Sequence, residues 1–354
     1  MLRYVHHPEI QRLEYNPIDE QESSATSDML QTLRRLHQQI LMQQRQIGDI
    51  VVPTAKNSMG QRTSRTQRAP AWLDQLTKLH SKATHIYEEL GAWAADHFIS
   101  QTVELFKAKA DLTTSFSYLP SPGDRTRSRL LQILDQADFT QPVKALSVLC
   151  PISTKVEQLL AYLERQDSRE CSGLIFVQQR ATVSVLCAIL STHPRIEGRF
   201  RCATFVGQSS SAQKQYNISE IFDYRAQKET MAAFRSGKRN LVIATDALEE
   251  GIDIAACNLV VCFNLPPSLK SFIQRRGRAR MERSKFAIML PNNSDRSKID
   301  AWKELEKELI RAYQDEQRAR IQAASIEQQE EVVDYRLQVK TTGYVILGTF
   351  RAVI

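Results

Sequence analysis

Four arginines fall within seven residues in the run Gln274-Arg275-Arg276-Gly277-Arg278-Ala279-Arg280. A planar guanidinium grips phosphate oxygens through two parallel N–H donors, so this density suits a polyphosphate or a developing negative charge. Gln274 and Arg278 are four apart, and Arg275 and Arg278 are three apart. If a helix extends that far, these side chains project together. Gly277 permits close approach of a backbone or a ligand. A solvated basic face or a basic targeting patch would give the same run, and the run alone does not separate these readings.

A second chemical cluster lies upstream, in Leu241-Val242-Ile243-Ala244-Thr245-Asp246-Ala247-Leu248-Glu249-Glu250-Gly251-Ile252-Asp253-Ile254. An apolar strand ends at Ala244, which puts Thr245 and Asp246 at its carboxyl end. A hydroxyl there suits a backbone phosphate, Gly251 suits a tight turn, and Asp253 suits a ribose hydroxyl. Taken singly, these residues describe a strand-end threonine and a surface acidic loop. The ordered set carries more weight: this segment, then Asn264-Leu265-Pro266-Pro267, then the arginine run.

The elements that must hold these residues can be read from periodicity. Apolar runs at 174–177, 202–206, 241–244, 259–263 and 286–290 are short and continuous. Helical patterns at 152–165, 181–190, 224–234 and 268–275 alternate with them. Such alternation predicts an α/β fold, a parallel sheet with helices on both faces. Ligands of these sheets sit beyond the carboxyl ends of the strands.

The preceding segment differs. Met29, Leu30, Leu33, Leu36, Ile40 and Leu41 predict a helix over 28–48, with Asp28 as its N-cap. A helical apolar face runs from Ala71 to about Ala110 with a break at Gly91, and a shorter helix spans 127–136 after the turn cluster Pro120-Ser121-Pro122-Gly123-Asp124. The polar, basic stretch 54–70 is expected to be a mobile loop, with an RNA-binding patch as the alternative. Residues 297–335 are charged and helical, packing part of their surface through residues such as Trp302 and Leu309.

Composition sets bounds. The chain has 354 residues, enough for two or three domains, with 42% hydrophobic residues and only 12 glycines. A net charge of +7 permits a polyanionic partner without requiring one. The six cysteines form no CxxC pair and no zinc-finger spacing with histidine, so buried free thiols are expected. No apolar run reaches the roughly 20 residues of a membrane span, and the N-terminus has no signal-peptide pattern. A soluble cytoplasmic protein is expected, with the nucleus as the alternative.

On these motifs the chain resembles the superfamily 2 helicases of the Dicer and RIG-I-like branch, and fungal Dicer-like proteins of the antiviral type in particular. The segment 241–254 and the arginine run resemble motifs V and VI. Leu174-Ile175-Phe176-Val177-Gln178-Gln179-Arg180 resembles motif IV, Phe205-Val206-Gly207 resembles motif IVa, and 227–237 resembles the helix before motif V. The likeness implies a RecA-like second lobe over 146–292. It also implies a helical insertion over 17–145, pincer-like helices over 293–338 and an atypical tail over 339–354. His6-His7-Pro8-Glu9-Ile10 resembles the close of a first lobe, so 1–16 reads as that end or as a linker.

The resemblance implies roles by motif position. Arg278 and Arg280 would be arginine fingers on the γ-phosphate of ATP, with Gln274 facing the nucleotide. Gly251, Asp253 and Arg275 would line the nucleotide side. Arg180, Gly207, Thr245 and Asp246 would track double-stranded RNA. The partners implied are double-stranded RNA, the first RecA lobe and a ribonuclease III region.

Departures matter as much. The chain contains no GxxxxGK[ST] loop, and its Asp19-Glu20-Gln21-Glu22 comes after no apolar strand, so it does not match a DExH or DExD box. Mg²⁺ is therefore expected on a first lobe. The chain is expected to be an internal piece of a larger protein or a shortened gene product. The alternative function is an RNA-binding or regulatory fragment with no turnover of its own. A third reading makes the helices at 71–145 and 297–336 protein-docking surfaces.

Overall fold

The apolar runs form the strands expected of them. In the computed structural model these are β2 (Gly173–Phe176), β3 (Cys202–Phe205), β4 (Leu241–Ala244), β5 (Leu259–Cys262) and β6 (Lys285–Pro291). The structure describes residues 8–18, 27–49, 70–114, 122–139, 143, 145–147, 151–207, 218, 227–249, 256–294, 297–308, 311–312 and 314–316. Asp19–Glu22, most of the basic stretch 54–70, Gly251, Asp253, Leu309 and the tail from Tyr335 lie outside them.

Residues 9–15 add a strand, β1 (Glu9–Tyr15), which pairs in parallel with β6 from Glu9↔Lys285 to Tyr15↔Pro291. The described part of 1–16 thus supplies an edge strand of this sheet. The sheet order is β1-β6-β5-β2-β4-β3, and every pairing is parallel. Strands β2, β4 and β5 are buried throughout, as continuous apolar runs require when helices cover both faces.

The register aligns the strand ends. Phe176 of β2 stands opposite Ala244 of β4 and Cys262 of β5, and Ala244 stands opposite Phe205 of β3. Four strands thus end level, and the residues beyond them emerge at one edge. The helices that connect or cover them are α5 (Thr154–Glu164), α6 (Arg180–Thr192), α7 (Gln227–Arg235) and α8 (Leu269–Arg276).

The helical insertion comprises α1 (Asp28–Asp49), α2 (Ala71–Leu90), α3 (Ala92–Thr114) and α4 (Pro122–Leu134). Its cap differs from expectation. Asp28 is the first helical residue, and Ser27 does the capping: its Oγ accepts from Leu30 N at 3.1 Å. Ser27 in turn donates to Asp96 of α3, which also accepts from Met29 N at 3.1 Å. Pro122 opens α4 within the expected turn cluster, since proline's fixed φ and missing N–H suit a first helical position.

The insertion and the sheet share one apolar core. Leu76, Ile86 and Phe98 belong to the same buried cluster as Ile175, Leu186 and Met289, and both α2 and α3 pack against α6. The corner between α2 and α3 lies against the start of α5. Gly91 has φ +100° and ψ −179°, a region that side chains do not adopt, and a Cβ there would lie 2.6 Å from Ser153 N. Ser153 N donates to Leu90 O at 3.0 Å, and Trp93 N donates to Pro151 O at 3.2 Å.

Residues 295–354 form a separate unit. Within it 297–308 is helical, with Ile299, Trp302 and Glu306 buried on one face and Leu305 exposed. Cys171, Cys187, Cys202, Cys257 and Cys262 are thiols outside any disulfide, in line with the free-thiol expectation. Burial pushes the thiols of Cys171, Cys202, Cys257 and Cys262 up to about 12, so they stay protonated. Among the described residues no helix is long and apolar enough to cross a membrane.

This packing makes two substitutions informative. Gly91→Ala forces a side chain into a glycine-only conformation and into the Ser153 backbone. It should cost at least about 2–3 kcal/mol, read from the urea unfolding midpoint. The second concerns His37 and His80, which stack at 4.9 Å between α1 and α2. Burial lowers both pKa values below 6.5, and the charges of His37 and Arg34 lower His80 further. The unfolded chain therefore binds more protons here below pH 6.5 than the folded chain does. Stability is present above that value and should fall as pH drops through it. The unfolding midpoint should decline below neutrality, and His80→Phe should flatten that decline.

Candidate functional site

The level strand ends bring three polar segments to one edge of the sheet: Val177–Arg180 after β2, Thr245–Glu249 after β4, and Phe263–Asn264 after β5. Parallel sheets bind ligands at this edge.

Glu249 ties the edge together. After Thr245 the chain makes a short 3-10 turn, Asp246–Leu248, and Glu249 N closes it onto Asp246 O at 2.8 Å. Glu249 Oε1 accepts from Arg275 Nε at 2.7 Å, and Oε2 accepts from Ser271 Oγ at 3.0 Å. Its carbonyl oxygen accepts from Arg278 Nη2 at 2.8 Å. One residue therefore holds the side chains of Ser271, Arg275 and Arg278.

The ion pair with Arg275 is buried, with side-chain exposures of 4% and 10%. The Arg275 guanidinium also lies over the Phe176 ring, 5.0 Å from its centroid. An arginine this deep is tolerated because its fork is paired and its plane is stacked.

Helix α8 stops at Arg276, close to the helical pattern read over 268–275, and does not extend to Arg278. Ser268 caps its start, accepting from Ser271 N. Gly277 ends it with an ordinary right-handed φ of −63°. The chain then turns: Arg278 N donates to Arg275 O, and Ala279 bridges to Cys257 just before β5. Arg278 and Arg280 are thus held by a turn instead of a helix face. Arg278 is half-buried against Glu249, while Arg280 is exposed and its Nε donates to Gly277 O at 2.7 Å. Gln274 is half-buried on α8.

The remaining candidates separate by exposure. Arg180 and Asp246 are exposed, and Thr245 is buried at 3%. Gly207 sits where a Cβ would come within 2.9 Å of Ala247 Cβ, so a close approach between the β3 end and the 3-10 turn accounts for this glycine. Gly251 and Asp253 lie outside the described residues. Among the described residues no group of three or more metal-ligating side chains exists.

Two residues that bear on the site carry no role by motif position. Along the chain Glu249 is only one member of an acidic run. Its signal lies in its partner: Arg275 falls three residues after Phe272, on the buried face of α8. Asn264 comes after β5, and its Oδ1 accepts from Gln178 N at 3.0 Å, fastening the loop after β2.

Residues 154–282 match the helicase conserved C-terminal domain family. Dicer-like protein 2-1 of Aspergillus niger is 43% identical over 279 residues, which cover 77% of this chain and 20% of that protein. Dicer-like protein 2 of Neosartorya fischeri is 36% identical over 361 residues, covering 98% of this chain and 25% of that protein. The chain thus spans a quarter or less of the length of these relatives. Among solved structures, the Pyrococcus furiosus Hef helicase domain resembles it at 20% identity and a TM-score of 0.39, over 85% of this chain and 58% of that one.

Removing Glu249 strands a buried guanidinium and releases α8 from the turn after β4. Glu249→Ala should lower folding stability by about 3–5 kcal/mol in urea titration. Asp246→Asn, at an exposed position of the same turn, should stay within about 0.5 kcal/mol of the parent.

Proposed function

Since the chain is homologous to the helicase C-terminal domain of fungal Dicer-like 2 proteins, we propose that it serves as the second RecA-like lobe of an ATP-dependent double-stranded-RNA helicase. In this reading the 354 residues are incomplete for turnover by themselves. The longer protein would act in RNA silencing and antiviral defence, together with a ribonuclease III region.

The observation that carries the reading is the Glu249 junction. It fastens the turn after β4 to the start of the arginine turn, so a segment expected on the RNA side and one expected on the nucleotide side are held together. Arg278 and the exposed Arg280 stand on that turn as two cations suited to the γ-phosphate of ATP. Gln274 faces the nucleotide beside them. Arg275 is committed to Glu249 and acts by holding the turn in place. Gly251 and Asp253 keep their nucleotide-side roles by motif position alone. ATP supplies the phosphoryl group that is transferred to water, and the arginines would stabilise the charge that develops on it.

On the RNA side, exposed Arg180 and Asp246 flank the sheet edge at which a phosphodiester backbone would lie. Thr245, being buried with its backbone bonded to Phe205 and Leu248, would shape the turn. Gly207 would let that turn sit close to β3.

The sequence supports incompleteness directly. Without a GxxxxGK[ST] loop, these residues offer no lysine and backbone cradle for the phosphates. Without a DExH or DExD box they offer no carboxylate for Mg²⁺, which would be held by a first lobe. The chain by itself is then an RNA-binding half-site.

The isolated chain should hydrolyse no ATP above the blank, with or without duplex RNA. Joined to a first lobe carrying the phosphate loop and acidic box, it should support RNA-stimulated hydrolysis. Arg278→Ala should lower that rate by about 10³-fold. Unchanged turnover in this variant would remove the arginine-finger reading, and robust turnover by the chain alone would remove the half-site reading.

A further inference from the structure

A charged cluster lies where the helical insertion meets the sheet edge. Lys155, at the start of α5, is 3% exposed in its side chain, and its ammonium sits 2.5 Å from Glu89 Oε2. Glu89 belongs to the last turn of α2, in the insertion. Two aromatic rings enclose the same ammonium: Phe263, with its centroid 4.2 Å away, and Tyr15 of β1 at 5.1 Å. Burial lowers the Lys155 pKa, and Glu89 opposes that shift. Burial, and then Glu89, raises the Tyr15 hydroxyl to about 12.

Packing alone does not explain charges at this point. A well-packed apolar pair holds a buried junction at least as well as an ion pair does. What a carboxylate adds is direction. Glu89 Oε2 also accepts from Asn264 Nδ2 at 2.9 Å, across 175 residues of sequence. With its NH₂ group committed to Glu89, Asn264 presents its oxygen to Gln178 N at 3.0 Å. The flipped amide would set N–H donors against the Gln178 N–H. Val177 N is still held by the β4 ladder through Ala244 O at 2.8 Å, so Gln178 is the first residue past it whose amide needs another partner. Two residues further on, α6 begins at the exposed Arg180.

We propose that Glu89 is a positioning residue that sets the loop Val177–Arg180 through Asn264, so that the helical insertion fixes the placement of an RNA-facing arginine on the second lobe. Lys155 holds the Glu89 side chain in place. The relay runs from Lys155 to Glu89, to the Asn264 amide, to Gln178 N and so to the start of α6. The RNA-facing role of Arg180 rests on the function proposed above; the relay itself does not.

The test uses the full chain and two variants. Glu89→Leu/Lys155→Met removes both charges and leaves a packed apolar junction. Asn264→Ala removes the middle member at a half-buried position. Residue-resolved amide exchange should show Gln178 exchanging roughly five- to tenfold faster in both variants, about the worth of one hydrogen bond. Val177 should remain protected, and the thermal midpoint of Asn264→Ala should stay close to that of the parent. A loss of packing alone would loosen both amides together. Affinity for a blunt-ended RNA duplex should fall by a similar factor in both variants. If the double variant fails to fold, Asn264→Ala carries the test alone. Gln178 exchange that stays at the parent value in Asn264→Ala overturns the relay. A parent chain that binds no duplex overturns the RNA reading and leaves the exchange result to judge the relay.

Discussion

The buried pair between Glu249 and Arg275 is the interaction on which the arrangement of the site depends. Its side chains are almost out of water, and they join the turn after β4 to helix α8. A guanidinium in that position is stable only with its donors matched and its flat face covered. Glu249 and Ser271 supply the polar side of this pocket, and Phe176 supplies the ring. The carbonyl of the same glutamate then accepts from Arg278. A sheet of level strand ends becomes one surface because this residue spans its segments.

The second constraint is the fusion of the insertion to the sheet. Helices α2 and α3 share their apolar core with α6, and the Gly91 corner admits no side chain against Ser153. Close backbone contact of this kind resists sliding, because any shift breaks the Leu90 and Pro151 carbonyl bonds together. The Glu89–Lys155–Asn264 cluster stands beside that corner. Rigid packing below and directional hydrogen bonds above give the insertion a fixed relation to the loop that opens α6.

Much of this was legible in the chain itself. The strands lie within a residue of the apolar runs at 174–177, 202–206, 241–244, 259–263 and 286–290, because a two-sided parallel strand must be apolar at every position. Helices α1, α2 and α3 were readable from three- and four-residue apolar steps, and the break at Gly91 from the glycine. Local rules with close competitors did less well. Ser27 caps α1 in place of its neighbour Asp28 because Asp96 of α3 stands opposite to receive its hydroxyl. The stretch 9–15 is short and mixed in pattern, and it forms a half-exposed strand by pairing along the edge of β6.

The sequence by itself determined the parallel α/β sheet, the helical insertion and the two polar segments around Thr245 and the arginine run. Each is written in a local period or in the order of polar residues along the chain. Only the tertiary structure decided which of those polar residues face outward. Thr245 and Arg275 are buried while Arg180, Asp246 and Arg280 are exposed. The difference comes from partners distant in sequence: Arg275 is drawn inward by Glu249, and Asn264 is turned by Glu89. Hydrogen-bond direction and desolvation act between neighbours in space, so they can assign a role only once the chain has brought those neighbours together.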